Sequence, residues 1–176
     1  MSDLLTARLV LHPLTVGESE RVAAGEGGDG DARWGPGYPT EGDVFAARRF
    51  LETCADTGDP RPFGNYEIRL RADGLAIGGI GFRGLPDETG SVTIGYGLSP
   101  SVRGRGYASE ALRELLLFAR ERGVTCVKGD STHDNVASQY VMKAAGMRQT
   151  DEDEHLRYFE TSWTDEDATP DTEPRR

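Results

Sequence analysis

Cysteine is scarce in this 176-residue chain. There are two, Cys54 and Cys126, and neither belongs to a C-x-x-C pair. Two isolated thiols cannot build a disulfide framework, and no metal site is expected from their spacing. Long apolar runs are also missing. Nothing approaches the roughly 20 residues that span a bilayer, so no membrane partner is expected. The start, Met1-Ser2-Asp3-Leu4-Leu5-Thr6, lacks the basic and apolar blocks of a secretion signal, which points to the cytoplasm. Positive charge is in deficit: 20 Lys and Arg stand against 30 Asp and Glu, a net charge of -10. Direct nucleic-acid binding needs clustered cations and is disfavoured. Most of the acidic excess follows residue 150, so it describes a solvated end more than a binding face. Its long-range pull slightly favours a cationic substrate.

What remains suits one soluble domain with a sizeable core. No internal repeat is visible. Residues 6–14 alternate as a first strand, Leu9 and Leu11 on one face and Val10 on the other. Residues 23–39 are Gly-rich and irregular. Residues 40–54 read as a helix with Thr40 as N-cap. Three strands follow at 63–71, 76–83 and 92–98, joined by short turns into an antiparallel meander. A helix over 109–122 places Ala111, Leu112, Leu115, Leu116 and Ala119 on one stripe and ends at Gly123. A strand at 124–131, a helix at 135–145 capped by Asn135, and a strand at 156–163 complete the pattern. The prediction is one mixed α/β domain over 1–164, then an acidic, disordered tail over 165–176.

Chemistry concentrates in residues 95–111, GYGLSPSVRGRGYASEA. A strand ends at Leu98, Ser99-Pro100 stops it, and a glycine loop opens directly into an amphipathic helix. The first amides of a helix lack partners within it, and its dipole adds about half a positive charge there. Gly104 and Gly106 let phosphate oxygens approach the backbone, while Arg103 and Arg105 add full charges. A P-loop would need Lys and then Ser or Thr after Gly106, where Tyr107-Ala108 stand. A dinucleotide fingerprint fails at Ser109. The formal G-x-G-x-x-G of Gly79, Gly81 and Gly84 runs into a Leu-Pro-Asp turn with no helix start, so its mechanism is missing.

Arg103-x-x-Gly106-x-Ala108 resembles the R/Q-x-x-G-x-G/A motif of the GNAT (Gcn5-related) N-acetyltransferases. Thr6-Ala7-Arg8-Leu9-Val10-Leu11, the run from Ile94-Gly95-Tyr96 to Glu110-Ala111-Leu112, and Asn135-x-x-Ser138 before Gly146-Met147 resemble the RimJ/RimL branch of that superfamily. The resemblance implies a single-domain GNAT fold, a mixed and mostly antiparallel sheet of six to seven strands flanked by about four helices. It also implies acetyl-CoA as co-substrate, with the pyrophosphate on Arg103, Gly104, Arg105, Gly106, Tyr107 and Ala108. In the family two central strands splay apart and the pantetheine arm pairs with the exposed edge, here near Leu98. Gly95 and Gly97 would let the thioester approach the backbone; the alternative is a bulged strand.

Further roles carry alternatives that the sequence leaves open. Asn135 is a cofactor contact, a plain N-cap, or both. Many family members place a Tyr on this last helix as acid toward the CoA thiolate, and Met142 occupies that position here. The resemblance therefore passes the acid role to Ser138, otherwise an ordinary polar residue of the first helical turn, or to water. The branch often carries Glu where this chain has Thr93. Candidates for the base are Glu67, Asp87, Glu88, His133 and Asp134, with Glu67 otherwise a solvent-facing strand residue and His133 otherwise a loop residue. Trp34 and Tyr38 either line the acceptor pocket or cover a core edge. The expected activity is acetyl transfer to a primary amine, on a protein N-terminus or a small molecule. Homodimers are common in the family. The alternatives are a non-catalytic acyl-CoA-binding or regulatory module, and an interaction protein that offers a sheet edge.

Overall fold

The structure, a computed structural model, describes residues 1–26 and 33–163. The expected tail over 165–176 lies outside the described residues. In chain order the elements are β1 (Leu4–Leu5), β2 (Leu9–Pro13), α1 (Val16–Ala24), β3 (Arg33–Trp34), α2 (Glu41–Thr57), β4 (Asn65–Leu70), β5 (Leu75–Phe82) and β6 (Ser91–Leu98). A short 3-10 turn, Pro100–Val102, leads to α3 (Tyr107–Glu121), β7 (Cys126–Thr132), α4 (Val136–Ala144), β8 (Arg148–Glu152) and β9 (Leu156–Ser162).

The strands form one sheet in the order β1-β2-β4-β5-β6-β7-β9-β8, with β3 beside β5. The α/β expectation holds, but nine strands are present among the described residues where six to seven were expected. The additional ones gave no periodic signal. β1 and β3 have two residues each, and β8 reads Arg-Gln-Thr-Asp-Glu, exposed throughout and placed by its ladder with β9. Helix α1 is also additional to the segments read as helical. Its signal is short but definite: Thr15 and Glu18 form a capping box, a pattern that marks a helix start even without a clear apolar stripe.

The sheet has two different faces. On one, Tyr66, Ile68, Ile80, Phe82 and Ile94 pack under α3, whose Ala111, Leu112, Leu115 and Ala119 are fully buried. Burying each leucine there contributes about 2 kcal/mol. Phe118 of α3 meets Tyr66 and Phe82 with ring centroids 6.2 and 6.5 Å apart. The register places residues opposite one another on a common face, so Glu67, Gly79 and Gly97 share the other side, as do Asn65, Gly81 and Gly95. Four of these six have no side chain. Helix α2 covers that bare floor, and a Cβ added at Gly79 would meet Asp43 Oδ1 at 2.6 Å.

Candidate active site

β6 and β7 pair in parallel only from Ser91↔Cys126 to Thr93↔Lys128. Beyond that point β6 keeps β5 while β7 turns to β9, so the sheet opens into a wedge. Arg83 N donates to Thr93 O and Ser99 N donates to Ile77 O, both toward β5. Strand alternation then directs the backbone groups of Tyr96 and Leu98 at the opening. Leu98 itself is buried, and its carbonyl accepts Arg103 Nε at 3.1 Å, which folds Arg103 back over this edge.

The 3-10 turn carries the chain across the wedge to α3. Gly104 and Gly106 have φ of +79° and +81°, a left-handed backbone that disfavours other residues. Gly106 is the N-cap and brings no side-chain cap, so the first amides of α3 keep their capacity for an anion. Gly104, Arg105 and Gly106 are exposed, Tyr107 is half-buried and Ala108 is buried. Arg8, from the turn before β2, sits over this loop. Its Nη1 donates to Arg105 O at 2.9 Å, and its guanidinium lies 4.5 Å from the centre of the Tyr107 ring. A diphosphate fits this terminus: exposed backbone, positive φ, arginines and no capping side chain coincide.

A cavity of about 390 Å³ adjoins the wedge, bounded by α2, the glycine floor, the end of β7 and the start of α4. Asn135 caps α4 by accepting Ser138 N on Oδ1 at 3.1 Å. Gln139 fixes α4 to β7 through Nε2, which donates to Thr132 O and His133 O. Both Asn135 and Ser138 line the cavity. Opposite them stands a residue that the sequence reading passed over. Tyr96 on β6 places its hydroxyl 2.8 Å from Ser138 Oγ and 3.0 Å from the Ser138 carbonyl. Burial pushes the Tyr96 phenol up to about 12. The helix position expected to bear the phenol, Met142, is instead a core residue against Gly129. The signal for Tyr96 was its strand face: alternation on β6 sends it toward α3 and α4, as for Ile94.

The candidate bases occupy different settings. Glu67 is 2% exposed, so the solvent-facing reading of this residue is incorrect. Its Oε2 accepts Tyr38 OH at 2.8 Å and its Oε1 accepts Arg69 Nε at 2.7 Å. Burial, with Glu67 next to it, raises the Tyr38 phenol well above its ordinary value. Tyr38 lines the cavity, whereas Trp34 braces it edge-on at 5.6 Å and packs with Leu14, Val22 and Ala47. His133 gives its Nε2 hydrogen to Asp153 O at 2.7 Å, and its Nδ1 faces Arg157 Nε at 3.3 Å. Neither imidazole nitrogen is left toward the cavity. Asp87 binds Thr89 and Ser91 within its own turn.

Asp43 was not among the candidates, because a capping-box acid at a helix start needs no further explanation. The structure gives it a second side. Oδ2 accepts Thr40 N and Thr40 Oγ1, both at 2.9 Å, while Oδ1 lies over Gly79 in the cavity wall. Burial raises its carboxyl, the Thr40 bonds act against this, and the nearby Glu67 charge adds to it.

Comparison with known proteins agrees with this geometry. The sequence signature of the acetyltransferase (GNAT) domain family matches residues 8–148. The uncharacterized N-acetyltransferase YjdG of Bacillus subtilis is 32% identical over 118 residues, 63% of this chain and 70% of that protein. Among solved structures, RimL, a ribosomal L7/L12 alpha-N-protein acetyltransferase in complex with coenzyme A, shares the fold with a TM-score of 0.67 at 18% identity, covering 96% of this chain and all of the other. The ribosomal-protein-S5-alanine acetyltransferase of Vibrio fischeri does so with a TM-score of 0.66 at 12% identity, covering 92% and 97%. The likeness to the RimJ/RimL branch is thus one of fold, and the chain belongs to the GNAT acetyltransferase family.

Proposed function

We propose that the protein is an acetyl-CoA-dependent N-acetyltransferase that transfers directly to a primary amine. The observation that carries this reading is the uncapped start of α3 facing the wedge between β6 and β7, with the Tyr96–Ser138 hydroxyl pair across the opening. Amides from Gly104 to Ala108, with the Arg103 and Arg105 side chains, would hold the pyrophosphate, and the β6 edge at Tyr96 and Leu98 would pair with the pantetheine arm. Asn135 and Ser138 stand where the thioester end would lie. Acetyl-CoA supplies an activated thioester carbonyl.

The amine nitrogen forms the new N–C bond, the C–S bond breaks, and the amine proton must leave to a base or through water. Tyr96 remains protonated across the physiological range, so the Tyr96–Ser138 pair can direct a hydrogen bond at the departing sulfur. This makes up for the Met142 departure and weighs against a module that binds acyl-CoA without turnover. Glu67 and His133 are less suited to the base role, since their lone pairs or ring nitrogens already have partners. Within this reading the acceptor is a small amine or a protein N-terminus, and RimL and the S5-alanine enzyme support the second by analogy of fold only. The test is CoA binding by calorimetry, together with thiol release from acetyl-CoA over a panel of amines. Binding with turnover is expected; absent binding overturns the reading.

A further inference from the structure

The acceptor class can be narrowed, on the acetyltransferase reading above, from how charge is arranged along the cavity. At its floor, Asp43 Oδ1 receives no hydrogen bond among the described residues, although Oδ2 is held twice by Thr40. Asp43 stands over Gly79, and Gly79 pairs with Gly97 on the strand that borders the wedge. Adjacent strands lie about 4.8 Å apart, so this oxygen is one strand away from the proposed thioester path. Above Gly97 a Cβ would meet nothing within 4 Å, which leaves space for the reacting groups. A carboxylate oxygen without a donor in a half-buried wall is a docking point for an ammonium.

Farther along the same cavity the charge reverses. Arg49 of α2 and Arg83, just after β5, both line it. Asp43 and Arg49 are six positions apart on α2, about 9 Å of helix rise. Burial lowers the Arg49 guanidinium from its ordinary value, and repulsion from Arg83 adds to this. Arg49 rests on the Phe45 ring at 4.8 Å. Among the described residues Arg83 has one ion pair, a loose one to Asp130 of the same cavity at 3.9 Å, beyond hydrogen-bond reach. Among the described residues neither guanidinium donates a hydrogen bond. Two guanidiniums on one cavity wall that repel each other, with only the loose Asp130 pair against them and no hydrogen bond donated among the described residues, suit a bidentate anion.

We propose that the acceptor is a small primary amine that also carries a carboxylate or phosphate, its ammonium docking on Asp43 and giving up one proton to that carboxylate or through it to water before attack, and its anion held by Arg49 and Arg83. An acceptor of this class spans both charges, whereas a simple polyamine would bring its second cation against the arginines.

The probes are 6-aminohexanoate, hexylamine, 1,6-diaminohexane and an alanine-initiated peptide, compared by kcat/KM in thiol release. We expect 6-aminohexanoate to be preferred over each of the others by about tenfold or more, a difference of about 1.4 kcal/mol per tenfold. Arg49→Ala and Arg83→Ala should each erase its advantage over hexylamine, and Asp43→Asn should cut kcat/KM for every amine by tenfold or more. Equal use of hexylamine, a preference for the diamine or the peptide, or a preference that survives both arginine substitutions overturns the proposal. CoA affinity is measured in parallel. Normal CoA binding without turnover of any probe defeats this acceptor assignment alone, whereas lost CoA binding defeats the donor reading.

Discussion

Arg8 and Glu110 are 102 positions apart in the chain and meet in an ion pair of 2.9 Å at the first turn of α3. The same carboxylate accepts Thr6 Oγ1 at 2.6 Å and Arg8 N at 3.1 Å. Arg8 then reaches Arg105 O with its other arm. The opening Thr-x-Arg and the Ser-Glu-Ala of α3 are therefore two halves of one brace. It ties the entry to β2 to the loop that we assign to the pyrophosphate.

Removing the brace should disturb donor binding more than the chemical step. Glu110→Gln is expected to raise KM for acetyl-CoA several-fold with a smaller change in kcat. Burial would raise the Glu110 carboxyl, but the bonds from Thr6 and Arg8 outweigh it and hold the carboxyl below its ordinary value. A depressed carboxyl adds stability above its unfolded pKa and loses it as the pH falls through the folded value. Glu110→Gln should thus lower Tm at pH 7, with the difference vanishing in acid. A Tm difference independent of pH would show that the carboxylate charge is not what matters.

The cradle can be tested without confusing strain with charge. Gly104 has φ of +79° and open space where a Cβ would go, so Gly104→Ala and Gly104→Glu carry the same backbone penalty, about 1 kcal/mol. The glutamate variant should bind CoA at least tenfold more weakly than the alanine variant, with a similar Tm. Equal affinities would place the pyrophosphate elsewhere.

Tyr96→Phe should slow turnover by about a hundredfold with little effect on CoA affinity, the scale of a lost proton donor. Ser138→Ala should slow it less, because the Ser138 carbonyl still receives the phenol. Since the phenol titrates only at about 12, no loss of kcat between pH 7 and 10 should arise from Tyr96. Wild-type rates in Tyr96→Phe would remove this residue from the reaction.

Asp43→Asn should stabilise the fold while harming acceptor use. Burial raises the Asp43 carboxyl, so ionisation opposes folding once the pH exceeds the folded-state value. Above that point asparagine avoids the buried charge; below the unfolded pKa both side chains are neutral and the advantage disappears. Thermal melts of the two proteins between pH 3 and 8 measure this directly. A variant less stable than wild type at pH 7 would show that the Thr40 hydrogen bonds outweigh the charge.

Local chemistry written in consecutive residues was legible from the chain alone. The meander strands, the α3 stripe, its end at Gly123, the Asn135 cap and the Arg103-to-Ala108 loop each rest on spacing, capping or glycine conformation over a few positions. Their physics is short-range, so it survives without a fold. The tertiary structure alone decided what depends on neighbours distant in sequence. β8 is a strand because β9 offers a ladder, although its five residues carry no apolar alternation. Glu67 keeps the face that alternation gives it, but that face is covered, and Tyr38 and Arg69 satisfy its buried oxygens. Tyr96 reaches Ser138 only because β6 and β7 part after Thr93, and Asp43 becomes more than a cap only because α2 lies on a floor of glycines. A side chain's own propensity sets which element it joins; the desolvation and hydrogen bonding that give it a role come from residues that folding brings alongside.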